Sequence, residues 1–477
     1  MPRKAFTFNG TTKSYLYIAR GWSLPAWSPK ERNLMHLSGR PGAILTNSET
    51  KERRFNVPII LNSQTFEEKE RYVEELSEWL VHDVPFPLIF DKYPNRTLYA
   101  VVDGTPDFEQ FFEQGEGVLS FICPDPYKYG PIQTEQLTDA TTIHNAGTAP
   151  TYPRYTFNVT EPITHLDIVT DNAYMRLGRP VTVEETPFER ETLIFNDDCS
   201  NLIGWAPSAS VEDGMVSGTL KADAYFFYSD DYGNGTGWHG PAMKHSLSEA
   251  VVDFKLEVFL QQYAHEARRV GRAEVSVLDA NNKTVAKVTM KKVTSGVLVN
   301  IGVVRAGSAQ DGVDIINWTG EFNYTWNNFD GVLRILRVGR YWEAYIAKVD
   351  GNTWTHSSGN FDRWTDDAGI SLAPITQVQV HLAVFGPNSP TTQKINNIRI
   401  TRYNDNIADQ VPYFAYPGDI IEIDFKIRKI FLNGEERMDL KGDLGNSYFP
   451  LHPGYNQLML EPAGKFDAVM SWPELFL

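Results

Sequence analysis

The pattern of hydrophobic and polar positions changes character along the chain. Up to about residue 65, apolar and polar residues alternate in short runs, most clearly at 6–8 and 55–61. A period of two is typical of strands that bury one face, so this region predicts short strands separated by turns. The same signal predicts further strands at 88–90, 97–102 and 117–123.

One helix is predicted among these strands. Thr65 can cap its first turn, and Glu68 lies three positions on, as in a capping box. Pro85 and Pro87 end the helical pattern on its C-terminal side. The apolar residues that follow the cap fall on one helical stripe, namely Tyr72, Val73, Leu76, Trp79 and Leu80.

Strand patterns return after about residue 140, and the residues between 193 and 404 look like a separate piece, rich in aromatic residues and in Asn, Asp and Gly loops. Beyond 404, alternation over 419–427 leads to an Asn433-Gly434 hairpin turn. Residues 136–190 and 405–477 each hold too few strands to close a sandwich. We therefore expect them to form one body, interrupted by an insertion.

Composition narrows the class of protein. A chain of 477 residues predicts two to four domains, and 13% aromatic residues with 35 Gly and 28 Pro favour strands and turns. With 44 Lys+Arg against 60 Asp+Glu, the net charge of −16 argues against nucleic acid as the main partner. No apolar run is long enough for a membrane span. The first residues lack a secretory apolar core, so we expect synthesis in a cytosol.

The two cysteines exclude a disulfide framework and any zinc site built from three or four thiolates. Cys123 and Cys199 are predicted to be free thiols in the core, with a single bridge as the alternative.

The sequence also argues against catalysis. It contains no His-Glu-x-x-His zinc motif, no Gly-x-Ser-x-Gly elbow and no phosphate-binding loop. Glu422 and Asp424 lie on one strand face, as glycosidase carboxylates do, but Lys426 continues the alternation, which favours a solvated face. We therefore expect a protein that is not an enzyme.

Seven of the eleven tryptophans fall within 193–404, several of them in loops with Asn, Asp and Thr. An aromatic plane beside hydrogen-bonding side chains suits a sugar, which has an apolar C–H face and a rim of hydroxyls. The alternative is that each Trp fills a sandwich core, which we expect for Trp342 in an alternating strand. The predicted saccharide-binding candidates are Trp326, Trp354, Trp364, Trp238 and Tyr225.

No resident cofactor is predicted. If a metal binds, we expect calcium at the turn that holds Asp230, Asp231 and Asn234, because these side chains supply oxygen ligands close together. An ordinary surface turn is the alternative reading of this segment.

Several motifs follow one another in a fixed order at the two ends of the chain. At the N-terminal end these are Gly39-Arg40-Pro41-Gly42, the capped helix, and Cys123-Pro124-Asp125-Pro126-Tyr127-Lys128-Tyr129. At the C-terminal end they are Tyr416-Pro417-Gly418-Asp419, Asn433-Gly434, Asp443, Ser447, Phe449, Leu451, Pro453-Gly454 and Asn456. The order of these motifs, rather than any single one, resembles the distal tail protein (Dit) family of long, flexible-tailed bacteriophages.

The resemblance implies a mainly β chain: an N-terminal β-sandwich with one helix (1–135), a discontinuous galectin-like β-sandwich (136–190 plus 405–477) and an inserted β-sandwich (193–404). The insertion resembles lectin-like jelly rolls, and longer family members often carry a carbohydrate-binding sandwich there. The first domain would form a homo-hexameric ring in the virion, at the tip of the tail. Its partners would be the tail tube protein on one side and a tail-associated, baseplate or receptor-binding protein on the other.

The resulting hypothesis is a structural hub whose insertion binds host cell-wall polysaccharide. Two alternatives remain: the insertion cleaves glycosides, or it is a purely architectural contact module.

Overall fold

A computed structural model describes residues 5–104, 116–404, 409–442 and 447–477. Asp443, one of the motif residues above, lies outside these ranges. The prediction of a mainly β chain is confirmed. The described ranges contain 37 strands and one α-helix, together with a short 3₁₀ turn at Met438–Leu440.

The N-terminal part combines eight strands with the helix. The strands are β1 (Phe6–Phe8), β2 (Leu16–Ile18), β3 (Lys30–Met35), β4 (Ile44–Thr50), β5 (Arg53–Leu61), β6 (Phe86–Phe90), β7 (Thr97–Asp103) and β8 (Glu116–Cys123). Helix α1 spans Phe66–Leu80, and Thr65 caps it by accepting a hydrogen bond from the Glu68 amide, as predicted. The buried side of α1 packs against the strands through Leu76 and Leu80.

Strands on both sides of the insertion build the next body. Before the insertion lie β9 (Lys128–Leu137), β10 (Ala140–Asn145), β11 (Arg154–Val159), β12 (His165–Val169), β13 (Tyr174–Gly178) and β14 (Thr186–Phe188). The insertion contributes β15 to β31, given below. After it lie β32 (Gln410–Pro412), β33 (Ile420–Asp424), β34 (Lys429–Leu432), β35 (Glu435–Glu436), β36 (Gly454–Glu461) and β37 (Phe466–Phe476).

Residues far apart in sequence pair directly in this body. β11 lies between β33 and β37, and β36 lies between β10 and β12. One buried cluster accordingly draws on both segments, from Leu137 to Leu177 and from Ala415 to Trp472. β9 also pairs with β37, which makes the N-terminal sheet continuous with this one.

The strand predicted at 419–427 is shorter than expected. β33 ends at Asp424, whose carboxylate accepts hydrogen bonds from the amides of Lys426 and Ile427. That side-chain turn replaces the sheet ladder, so the strand stops.

The insertion consists of strands throughout. They are β15 (Glu191–Asp197), β16 (Ala206–Pro207), β17 (Met215–Val216), β18 (Thr219–Asp223), β19 (Phe226–Asp231), β20 (Trp238–Gly240), β21 (Ala242–Val251), β22 (Phe254–Tyr263), β23 (Gly271–Leu278), β24 (Thr284–Lys292), β25 (Ile301–Ala306), β26 (Val313–Trp318), β27 (Phe329–Val338), β28 (Tyr341–Val349), β29 (His356–Thr365), β30 (Ile375–Phe385) and β31 (Thr392–Tyr403). The first and last of these, β15 and β31, are antiparallel neighbours, so the chain enters and leaves at one place.

Two sheets enclose the core of the insertion. One has the order β18-β19-β31-β22-β27-β28-β29, with β15 also on β31. The other has the order β16-β21-β30-β23-β24-β25-β26, with β20 also on β30. Their facing side chains form one large apolar cluster that includes Val258, Val288 and Trp342. The described residues thus form separate buried clusters in the N-terminal part, in the body built from both flanks and in the insertion. The exact domain boundaries drawn from the sequence stay a prediction.

Both cysteines are free and buried, as predicted. Burial raises the pKa of the Cys123 thiol to about 12, so it stays protonated and acts as a core side chain. No helix in the described ranges is long and apolar enough to cross a membrane.

Candidate carbohydrate-binding surface

Two of the tryptophans singled out above are core residues. Trp326 and Trp342 are fully buried in the insertion, and the Trp326 indole donates a hydrogen bond to the Ser358 carbonyl oxygen at 3.0 Å. The core role expected for Trp342 is confirmed. The prediction of a sugar contact at Trp326 is wrong, because no face of its ring is open to a ligand.

Trp354 and Trp364 lie at opposite ends of β29. Trp354 precedes the strand and is 60% exposed, whereas Trp364, near its end, is half-buried with its ring 6.4 Å from that of Trp342. A strand of ten residues is about 33 Å long. The two rings therefore cannot contact one short saccharide together.

Trp238 and Tyr225 are also apart, on different sheets. Trp238 in β20 is half-buried, with the Arg272 guanidinium 5.0 Å from its ring centre. Tyr225 lies in the β18–β19 turn and is largely exposed. The five predicted residues thus do not form one site, and their individual roles stay predictions, except for Trp326.

The calcium candidates already have protein partners. Lys221 Nζ lies 2.8 Å from Asp230 Oδ2, and the Gly233 amide donates to Asp231 Oδ1 at 2.9 Å. A cation bound there would compete with the Lys221 ammonium. The calcium prediction stays a prediction.

In the described ranges, one group of acidic and histidine side chains has metal-like spacing. Candidate ligand atoms of His165, Asp167 and Glu461 lie within 4.8 Å of one another. However, Arg176 donates to both carboxylate oxygens of Asp167. The positive guanidinium opposes a cation at this position.

Three exposed aromatic residues that the sequence analysis did not select lie at the end of β26 and in the β26–β27 loop. Trp318 is 47% exposed, Phe322 54% and Tyr324 67%, and the rings of Phe322 and Tyr324 stack at 5.7 Å. We call these three residues the aromatic platform. The sequence signal was present, since Trp318 lies between Asn317 and Thr319, but the same signal also marks buried Trp326.

Hydrogen bonds fix the conformation of the β26–β27 loop, which carries Phe322 and Tyr324. The Thr325 hydroxyl accepts from the Phe322 amide at 2.8 Å, and the Thr325 amide donates to the Phe322 carbonyl oxygen at 2.9 Å. Asn327 ties the loop to the neighbouring segment by donating to the Leu298 carbonyl oxygen at 2.6 Å. A preformed aromatic surface loses little conformational entropy when it binds.

The outer face of the sheet that contains β23 is polar. Direct strand pairing aligns six side chains in one row across it: Lys244, Gln379, Ser276, Lys287, Arg305 and Asp314. The strand neighbours of Ser276, Val275 and Val277, point to the opposite side, into the core.

A loop of the insertion, residues 208–214, covers part of this polar face, and we call it the covering loop. Arg272 donates to the Asp213 carbonyl oxygen at 3.2 Å, and Gln379 donates to that of Ser210 at 2.9 Å. Under the loop, burial alone would raise the pKa of Glu274, but the positive charges of Arg272 and Lys287 lower it. Glu274 is therefore ionised at neutral pH.

Comparison with known proteins finds a family match at each end of the chain. The family described as a phage tail protein RIFT-related domain matches residues 10–123. The C-terminal domain of siphovirus-type tail components matches residues 387–476. Residues 10–123 and 387–476 of this chain are therefore similar to domains of phage tail proteins.

The distal tail protein of Bacillus phage SPP1 is 30% identical over 119 residues, which are 24% of this chain and 47% of that protein. The chain thus spans about half the length of the curated relative that it matches. The solved structure of SPP1 Dit has 24% identity and a TM-score of 0.33, and covers 37% of this chain and 74% of its own.

The CBM2 module of the evolved Dit of Lactobacillus casei BL23 phage J-1 is also similar. It has 14% identity and a TM-score of 0.40, and covers 46% of this chain and 99% of its own.

Proposed function

We propose that this protein is a structural hub at the tail tip of a long-tailed bacteriophage, and that its insertion binds saccharide of the host cell wall. The observation that carries the hub assignment is the match of both flanks to tail-component families, over 10–123 and 387–476. The hub would join the tail tube to the tip, baseplate or receptor-binding proteins.

Ring formation as a homo-hexamer is part of this proposal. What supports it is the β3–β4 hairpin, which is exposed along nearly its whole length and pairs only with itself among the described strands. Its exposed apolar residues, Leu34, Met35, Leu37, Ile44 and Leu45, suit a protein interface. Native mass spectrometry of the full chain should detect six copies. A monomer at all concentrations, with and without residues 193–404, would leave ring formation to the partners.

The aromatic platform supports the saccharide-binding part of the proposal. Its rings are exposed, and the polar residues Asn317, Thr319 and Asn323 adjoin them in the sequence. A ring of several copies would turn weak sites into strong adhesion, with a gain of about 10²–10⁴ from multivalency.

Binding of the full chain to purified wall polysaccharide of a susceptible bacterium tests this part. Tyr324→Ala and Trp318→Ala should each weaken binding at least threefold. Tyr324→Ala should do so without changing thermal stability, because its side chain is largely exposed, whereas the Trp318 ring also packs against buried Trp326. Unchanged binding by both variants would remove the platform from the proposal.

We further propose that the insertion does not cleave glycosides. Glu212 and Glu274 flank Lys287 on the polar face, with carboxylate oxygens 3.4 and 3.7 Å from its ammonium group. A glycosidase acid needs a raised pKa to keep its proton, whereas the pKa of Glu274 is lowered. Release of reducing ends from wall polysaccharide, lost in Glu274→Gln, would establish the enzyme alternative instead.

A further inference from the structure

A polar pocket of about 490 Å³ lies at one end of the polar face of the insertion. Four neighbouring strands, β21, β30, β23 and β24, contribute Lys244, Gln379, Leu278 and Thr284 to its lining. The covering loop and two turns, at 281–283 and 308–311, complete its walls. The volume is within the range of about 300–1,000 Å³ that is usual for small-ligand sites.

Hydrogen bonds and an ion pair join these walls to one another. Gln379 donates to the Ser208 hydroxyl at 3.0 Å, which fixes the covering loop to β30. The Ala309 amide donates to Glu212 Oε1 at 2.7 Å, which fixes the same loop to the turn at 308–311.

The turn at 281–283 is held in the same way. Lys244 donates to the Asn282 side chain at 2.7 Å, and Lys283 pairs with Asp311 at 3.1 Å. The pocket is therefore preformed, and a ligand need not order it.

The lining selects a class of ligand. Its charges balance, with Lys244 and Lys283 against Glu212 and Asp311, and it contains no aromatic side chain. The remaining lining is dominated by hydroxyl and amide groups. Such a site recognises a neutral molecule that both donates and accepts many hydrogen bonds.

Glu212 belongs to the wall of the pocket. Its Oε2 atom is buried 3.4 Å from Lys287 Nζ, and its Oε1 atom accepts a hydrogen bond from the Ala309 amide. The hydrogen-bonding groups open to a ligand are those of exposed lining residues such as Ser210, Asn281 and Gln310.

We propose that this pocket binds a short, uncharged saccharide segment by hydrogen bonds to its hydroxyl groups, as a second subsite separate from the aromatic platform. The inference rests on the proposed saccharide-binding function of the insertion. β26 links the two places, because its first residue follows the turn at 308–311 and its last residue is Trp318. Six strand residues span about 20 Å, so one polysaccharide chain could reach both subsites.

The test uses the full chain and a panel of neutral di- to tetrasaccharides of glucose, galactose and rhamnose, measured by saturation-transfer NMR and calorimetry. Gln310→Trp and Ser210→Trp fill the pocket from exposed wall positions, and Tyr324→Ala is the matched variant on the platform. We expect at least one probe to bind, and either pocket variant to weaken it tenfold or more at unchanged melting temperature. Tyr324→Ala should change the affinity for the same probe less than threefold.

The outcomes separate this inference from the function on which it rests. Binding that survives both pocket variants but is lost in Tyr324→Ala overturns the pocket and retains the saccharide-binding insertion. If no probe binds, the proposed saccharide subsite in the pocket is also overturned. The saccharide-binding function of the insertion is then judged separately, by the binding of wall polysaccharide. Uronic acid and amino-sugar disaccharides are measured beside the neutral panel, and tighter binding of either charged probe would overturn the assignment of an uncharged ligand.

Discussion

Arg334 in β27 and Glu435 in β35 form a two-point ion pair, with both N–O distances at 2.7 Å. Arg334 belongs to the insertion. Glu435 belongs to the β34–β35 hairpin, which lies about 30 residues after the end of the insertion. Glu257 lies 3.6 Å from the same guanidinium, which also covers the ring of Tyr345 at 4.6 Å. The pair is mostly buried and fixes the insertion against the flanking body.

Removing one partner of this pair should be costly, because the other charge stays buried. We expect Glu435→Ala to lower the free energy of unfolding by about 1.5–3 kcal/mol, the cost of losing hydrogen bonds to a charged group, because Glu257 still faces Arg334. The neighbouring Glu436, which pairs with Lys429 at an exposed position, is the control, and Glu436→Ala should cost at most about 1 kcal/mol. Urea unfolding measures both. Equal costs would show that the Arg334 contact does not hold the insertion.

Backbone packing at the same contact leaves no room for a side chain at Gly434. Its φ is +81°, and a Cβ atom there would lie 2.0 Å from the Trp354 carbonyl oxygen. Gly434→Ala should therefore separate the hairpin from the insertion and increase proteolytic cleavage near 350–356. Gly351, with open space around its Cβ position and no positive φ, is the control. Identical cleavage of the two alanine variants would contradict this prediction.

Acid should destabilise the insertion through Glu274. Its pKa in the folded state lies below that of an unfolded glutamate, about 4.3. Its contribution to stability is thus complete above that value and is lost as the pH falls through the folded pKa. We expect unfolding free energy to decline below about pH 4 and to decline less steeply in Glu274→Gln. Glu249→Gln, at an exposed ion pair, is the control and should follow the unmodified protein. Parallel curves for all three proteins would be inconsistent with this role of Glu274.

The two kinds of tryptophan should respond differently to truncation. Trp326→Ala removes a fully buried ring and the hydrogen bond to Ser358, and should cost about 3–5 kcal/mol. Trp354→Ala removes a ring that is 60% exposed, and should cost less than about 1 kcal/mol. Thermal and urea unfolding compare them directly. Similar losses would mean that Trp354 supports the fold rather than a surface.

Charge on the β3–β4 hairpin should prevent ring assembly. Leu34→Glu and Leu45→Glu place carboxylates on an exposed apolar strip, so the fold should persist while the hexamer is lost. Ile203→Glu, at an exposed apolar position of the insertion, is the control and should leave the hexamer intact. Hexamers formed by both hairpin variants would place the ring interface elsewhere.

Much of the fold was predictable from local patterns. The helix follows from Thr65, Glu68 and the apolar stripe behind them, because capping and amphipathicity act within a few residues. The pairing of the two flanks followed from counting strands. Strands such as β30 and β37 were not predicted, although apolar and polar residues alternate in parts of both. Pro473 lies within β37, and proline is disfavoured inside a sheet.

The saccharide candidates were less predictable. Trp318 and Trp326 have the same polar neighbours in sequence, yet one is exposed and the other is buried. The pocket could not be predicted at all, since its lining comes from segments between 208 and 379 that meet only across paired strands.

By itself, the sequence predicted the helix, many of the strands and a division into flanks and insertion, and it contains none of the zinc, nucleophile or phosphate-loop motifs that were sought. These depend on residue type and short-range periodicity. Only the tertiary structure decided which aromatic rings are exposed, that Arg334 meets Glu435, and that a charge-balanced pocket forms beside Glu212. Burial and long-range contact depend on how strands distant in the chain pack together, and no local pattern encodes that.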